Sequence, residues 1–160
     1  MADAATADAV IVRPAVQADL EAVAGLRWRW SVDENGAPPR MSRDDYTTAV
    51  VAWAAAHHDT HVGFVAERGG ELVGMTWIAF SARFPTPQSA DRWTADLQSV
   101  YVVPEARGIG VGSALLRAAL DVAAARGAAR TVVHSSDSAI PVYEHLGFAS
   151  SPQLMDRDLG

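Results

Sequence analysis

The stretch over residues 97–127, LQSVYVVPEARGIGVGSALLRAALDVAAARG, constrains the fold more than any other part of the chain. The run LQSVYVV is rich in β-favouring residues, and Pro104, which has no amide to give a ladder, stops it. Gly108, Gly110 and Gly112 follow at alternate positions. Leu115, Leu116, Ala119, Leu120, Val122 and Ala123 then recur with helical spacing up to Gly127, a helix stop. A strand that passes through a glycine turn into an amphipathic helix belongs in a sheet covered by helices.

The remaining segments extend that pattern. VIVRPA at 10–15 reads as a short strand closed by Pro14, and the segment from Asp19 has an acidic first turn, helical apolar spacing and a Gly36 stop. Ser42 is the expected N-cap of a second helix, with Asp44 and Asp45 in its first turn. HVGFVAERGGELVGMTWIAFSARF is two strand-like runs around a glycine turn, which predicts an antiparallel hairpin. After the long helix come a strand, ARTVVH, a short helix, SAIPVYEHLG, and a last strand-like segment from Phe148. The expected order is β-α-α-β-β-β-α-β-α-β, a three-layer α/β domain on a central mixed sheet. Residues 10–160 are expected to form one domain behind a short disordered leader, residues 1–9.

Composition removes several chemistries. The chain of 160 residues has no cysteine, so no disulfide framework, thiol nucleophile or thiolate metal site is available. It has no lysine either, which removes Schiff-base chemistry and the Walker loop. A net charge of −6 with dispersed arginines argues against nucleic acid and mildly favours a cationic small substrate. No apolar run approaches the ~20 residues of a membrane span, and the leader has no signal-peptide pattern, so a cytoplasmic protein is expected.

The glycine turn itself admits two readings. A strand that breaks into a glycine-rich turn before a helix presents unpaired amides at the positive end of the helix dipole, a site for an anion, phosphate first. Alternatively, the glycines only let the helix pack tightly on the sheet. A dinucleotide fingerprint would need glycine at position 113, where Ser113 stands.

A second stretch, SSDSAIPVYEHLGF at 135–148, narrows the choice. Together, Arg107, Gly110 and Gly112 in YVVPEARGIGVGSALL and the later AIPVYEHLGF resemble the GNAT superfamily of acyl-CoA-dependent N-acetyltransferases. The resemblance covers nearly the whole chain behind the leader. It implies a central, mostly antiparallel, splayed sheet flanked by helices, with acetyl-CoA as donor and no metal. It further implies that the backbone of Arg107, Gly108, Ile109, Gly110, Val111 and Gly112, with Ser113, cradles the pyrophosphate. The main chain of Val102 and Val103 would be left free for the pantetheine arm, and Tyr143 would be the general acid for the leaving thiolate. Ser136 stands where many relatives have a cofactor-contacting asparagine, and Ser136 or Asp137 would replace that contact. Gln98 stands where some relatives carry a basic glutamate. The base is then a water chain to Asp96 or Asp91, or His134, or none if the acceptor arrives neutral.

In the same superfamily the first two helices and the loop before the motif strand shape the acceptor site. That makes Trp28, Arg29, Glu34, Phe84, Trp93 and Gln98 the acceptor-side candidates. His57 and His61, four apart in HHDTH, read as a helix end rather than a metal pair. The expected activity is acetyl transfer to a primary amine of a small molecule or peptide in a ternary complex. The alternative is a non-catalytic acyl-CoA sensor or interaction domain. A homodimer through the final strand is a further expectation.

Overall fold

Within residues 9–160, which the computed structural model describes, β1 (Ile11–Pro14) leads through α1 (Leu20–Trp28) and α2 (Arg43–Ala56) to β2 (His61–Arg68). There follow β3 (Glu71–Ala82), β4 (Trp93–Val102), α3 (Val111–Ala125), β5 (Ala128–Val133) and α4 (Ile140–His145). Local chemistry accounts for several of these boundaries. Ahead of α1, the Asp19 carboxylate accepts the Val16 amide at 2.8 Å and is gripped by Arg13 at 2.7 and 2.9 Å. Ser42 Oγ accepts the Asp45 amide at 3.1 Å and caps α2. Gly69 and Gly70, with φ of 59° and 83°, make the β2–β3 turn, in which both central residues need positive φ.

The sheet order is β1-β2-β3-β4-β5, antiparallel throughout except for the parallel β4–β5 pair. That is the mixed, mostly antiparallel sheet expected. The α3 helix lies on one face and buries Val111, Leu115, Leu116, Ala119 and Ala123. A fully buried leucine contributes about 2 kcal/mol through apolar area removed from water. A Cβ on Gly74 would stand 3.0 Å from both Leu115 and the Tyr101 carbonyl, so the close approach of α3 to β3 needs a glycine there. The α1 and α2 helices cover the opposite face.

Two expectations are corrected. The fourth strand begins at Trp93, not Leu97, because TADL pairs with both β3 and β5. Among the described residues no strand follows α4. The Phe148 amide turns back to the Tyr143 carbonyl at 3.0 Å, its ring meets Tyr143 edge-on at 5.4 Å, and the chain then runs irregularly past Pro152. The expected leader lies outside the described residues apart from Ala9.

Candidate active site

The site begins with a defect in β4. Trp77 faces Ser99 and Ile78 faces Leu97, so Gln98 is an extra residue in the strand, a β-bulge. A bulge bends its strand, and pairing with β5 ends there, at Leu97 opposite Val133. Beyond it β4 keeps β3 but, among the described residues, has no strand on its other side. The Val103 amide donates to the Val73 carbonyl at 2.9 Å. Because the ladder alternates, Tyr101 also points its main chain at β3, while Val100 and Val102 point theirs into the open side. The expected free backbone at Val103 is therefore corrected: β3 holds its amide, and its carbonyl accepts from Ala106 at 3.0 Å.

The glycine turn follows directly. Gly108 and Gly110 have φ of 79° and 88°, and α3 starts with Gly110 as its left-handed N-cap. The amides of Gly108, Ile109 and Gly110 find no acceptor among the described residues. Those of Val111, Gly112 and Ser113 form the first turn of α3, which has no intrahelical partner and no side-chain cap. Consecutive free amides at the positive end of a 15-residue helix suit an anion. Gly112 is helical and a Cβ there would lie 3.8 Å from Val102, an ordinary contact, so packing alone does not demand this glycine.

Arg107 does not aim its charge at that turn. Its Nε donates to the Val102 carbonyl at 2.9 Å, and its NH2 group donates to Glu34 at 3.1 Å. Glu34 closes a π-helical turn, Arg29–Glu34, which the sequence pattern read as a continuation of α1. Its carboxylate also accepts from the Tyr101 hydroxyl and lies 3.4 Å from Arg29, which in turn bonds Glu105 at 2.6 Å. The Tyr101 hydrogen bond and the Arg107 guanidinium hold the Glu34 carboxyl below the usual carboxylate range. Burial and the Glu34 charge push the Tyr101 phenol up to about 12. Arg29 and Glu34 are thus structural partners that tie the first helices to the glycine turn.

On the α1–α2 face of the sheet, a chamber of about 430 Å³ opens beside the bulge. Gln98 and Ser99 line it at the bulge, Met75 and Trp77 continue it along β3, and Tyr46 and Trp53 of α2 wall it. Of the six acceptor-side candidates, Gln98 alone lines this chamber. The Trp28 ring packs on Tyr46 from outside the lining, at 6.0 Å. Phe84 is 90% exposed in the β3–β4 connection. Trp93 bonds Asp91 at 2.7 Å where β4 begins, the end opposite the glycine turn.

Tyr143 is buried on α4, and burial raises its phenol above the ordinary tyrosine value. It lines a separate cavity of about 690 Å³ against β5, which α4 and residues 148–154 complete. Ser136 is exposed, its hydroxyl 3.2 Å from that of Ser138. His134 is exposed beyond the end of β5, not partly buried as a strand-end histidine would be.

His61, which with His57 the sequence pattern read only as a helix end, received no place in the site. It opens β2, its ring lies 4.7 Å edge-on from Trp53 and 5.5 Å from His57, and the Gln98 side chain stands beside it. Burial, with the nearby His57, lowers its pKa, so the ring is neutral at pH 7. Only the pairing of β2 with β3 across the bulge brings His61 to Gln98, and no local motif carries that information.

Comparison with known proteins adds three findings. The profile described as the Acetyltransferase (GNAT) family matches residues 23–148. The chain is 28% identical over 96 residues to a glucosamine 6-phosphate N-acetyltransferase of Trypanosoma brucei brucei, and 36% identical over 88 residues to a mycothiol acetyltransferase of Thermobispora bispora. Those matches take in 60% and 53% of this chain but only 63% and 29% of the relatives. Among solved structures, a predicted acetyltransferase with acetyl-CoA from Clostridium acetobutylicum superposes with a TM-score of 0.77 at 22% identity. The superposition covers 94% of this chain and 97% of that one, a likeness of fold.

Proposed function

The chain belongs to the acetyltransferase (GNAT) family, and from that premise we propose that it transfers an acetyl group from acetyl-CoA to a primary amine within a ternary complex. The observation that carries this reading is the open side of β4, which runs from the bulge at Gln98 to a turn of free amides at Gly108–Ser113. The turn would hold the pyrophosphate, and the outward main chain of Val100 with the outward amide of Val102, whose carbonyl accepts from Arg107, would pair with the pantetheine arm as an added strand does. Acetyl-CoA supplies an activated acyl group as its thioester.

In the overall transfer an N–C bond forms as the S–C bond breaks, the amine loses one proton and CoA leaves as the thiol. The chain has no cysteine to hold the acyl group between two half-reactions. Tyr143, kept protonated by burial, is the proposed proton donor to the thiolate. His61, neutral and beside Gln98, is the proposed acceptor of the amine's proton, through water.

Initial-rate kinetics of thiol release with acetyl-CoA and an amine test the reading. Intersecting double-reciprocal lines are expected, and parallel lines with an isolable acyl-enzyme overturn it. A chain that acetyl-CoA protects from unfolding, but that releases no thiol with any amine, is the sensor of the alternative reading.

A further inference from the structure

The chamber beside the bulge carries an inference about the acceptor, which rests on the acetyltransferase reading. Its lining is nearly all apolar: Val23 and Ala24 of α1, Val50 and Trp53 of α2, and Met75 and Trp77 of β3 are its main walls. Two of its polar groups, Gln98 and Ser99, sit together at the bulge, where β4 parts from β5, and Tyr46 of α2 adds a phenol. No carboxylate lines it, and neither does any histidine. One cation does, Arg27, and its guanidinium lies 4.4 Å over the Trp30 ring. A volume of about 430 Å³ suits a small molecule.

We propose that the acceptor is a primary amine on an apolar body, aromatic or branched aliphatic, with its nitrogen at Gln98 and Ser99 and its body between Trp53, Trp77 and Met75. The charge pattern excludes the other acceptor classes from this pocket. A polyamine would leave a second ammonium facing apolar walls without a carboxylate, and desolvating an unpaired charge is costly. A sugar phosphate would need several donors for its phosphate and partners for its hydroxyls, whereas the walls offer one guanidinium, Arg27, which already lies over the Trp30 ring, and few hydroxyl partners. An arylalkylamine loses little by entering, since the apolar surface it buries is what the walls are built to cover. The net charge of −6, which favours cations at long range, then serves encounter and not fit.

The test pairs turnover with direct binding. Thiol release with acetyl-CoA is measured for 2-phenylethylamine, spermidine and glucosamine 6-phosphate. Binding of 2-phenylethylamine is followed separately through tryptophan fluorescence, since Trp53 and Trp77 line the chamber. Expected is a kcat/KM at least about tenfold higher for 2-phenylethylamine than for either comparator. In the variant Ala49→Trp, which places a large ring at the exposed edge of the chamber, the fluorescence response should be lost. Protection of that variant by acetyl-CoA should stay unchanged. Faster turnover of spermidine or glucosamine 6-phosphate overturns the proposal and leaves the acetyltransferase reading standing. A fluorescence response that vanishes in Ala49→Trp, with no thiol released for any amine, supports the chamber assignment and defeats the acetyltransferase reading. No fluorescence response to 2-phenylethylamine in the wild type, or one that survives in Ala49→Trp, overturns the proposal.

Discussion

Asp19 shows how a single carboxylate fixes one end of the molecule. It takes two hydrogen bonds from Arg13 and one from the Val16 amide, and Arg13 also holds Glu67 at 2.9 Å across β1 and β2. Those hydrogen bonds, Arg13 first, keep its carboxyl below the ordinary aspartate value against the opposing effect of burial. A depressed folded pKa means the stabilisation is complete above the unfolded value, about 4, and is lost as pH falls through the folded one. The variant Asp19→Asn should therefore lose about 2 kcal/mol at pH 7 by urea denaturation, with the gap to wild type narrowing towards about pH 3. His61 shows the same direction of shift in catalysis. Its pKa is lowered by burial, so activity that needs the neutral ring persists to a pH below the ordinary histidine value and falls as the ring is protonated. In His61→Asn, kcat/KM should drop at least about 100-fold, and the acid limb of its pH profile should disappear. A Tyr143→Phe enzyme that keeps full turnover would remove the proton-donor role, whereas a loss of about 100-fold in kcat with KM unchanged is the expected result.

At the scale of elements, the glycine turn separates the demands of folding from those of binding. Gly110 is left-handed with open space around it, so Gly110→Ala meets backbone strain alone, about 1 kcal/mol. Gly112 is helical, and Gly112→Ala should stabilise the unliganded chain by about 0.5–1 kcal/mol through lower unfolded-state entropy. Both should weaken protection by acetyl-CoA, because each changes the turn whose amides are proposed to hold the pyrophosphate. Thermal unfolding with and without acetyl-CoA checks this, and a Gly112→Ala chain that gains stability and keeps full protection would count against the cradle. The turn was legible because proline, glycine and helical periodicity act locally, and so were the Ser42 cap and the Gly69–Gly70 hairpin. The chamber was not. Its walls come from α1, α2, β3 and the bulge, and a bulge leaves no mark in an alternating pattern such as LQSVYVV. The same limit explains Trp93, whose aromatic character fits an acceptor pocket as well as a strand start, and Arg29 and Glu34, whose hydrogen-bond partners Glu105, Tyr101 and Arg107 lie more than 60 residues away. Phe148 looked like a strand opener because it is apolar, but packing on Tyr143 and the polar, proline-containing SSPQ after it leave no ladder to join.

For the whole molecule, the parting of β4 from β5 beyond Leu97 opens the sheet inside the fold. Only Trp93 to Leu97 hold the two strands together, so the β5–α4 end is attached to the rest through a short ladder and the packing of α3. A ligand that lies along Val100 and Val102 and caps the α3 turn would bind the native arrangement and have nothing to bind in the unfolded chain. Mass action then sets the size of the effect. At a concentration about 100 times its Kd, acetyl-CoA should add about 2.7 kcal/mol to stability. For a chain of 160 residues that is a rise of about 5–10 °C in the midpoint of thermal unfolding. Hydrogen exchange locates the effect. The Val100 and Val102 amides, which face the open side, should slow on addition of acetyl-CoA, while the Val103 amide, already held by Val73, should change only with global stability. The opposite ranking, with Val103 slowing more than Val100 and Val102, would mean that the ligand stabilises the fold without lying along β4, and the cofactor path proposed for this chain would have to move.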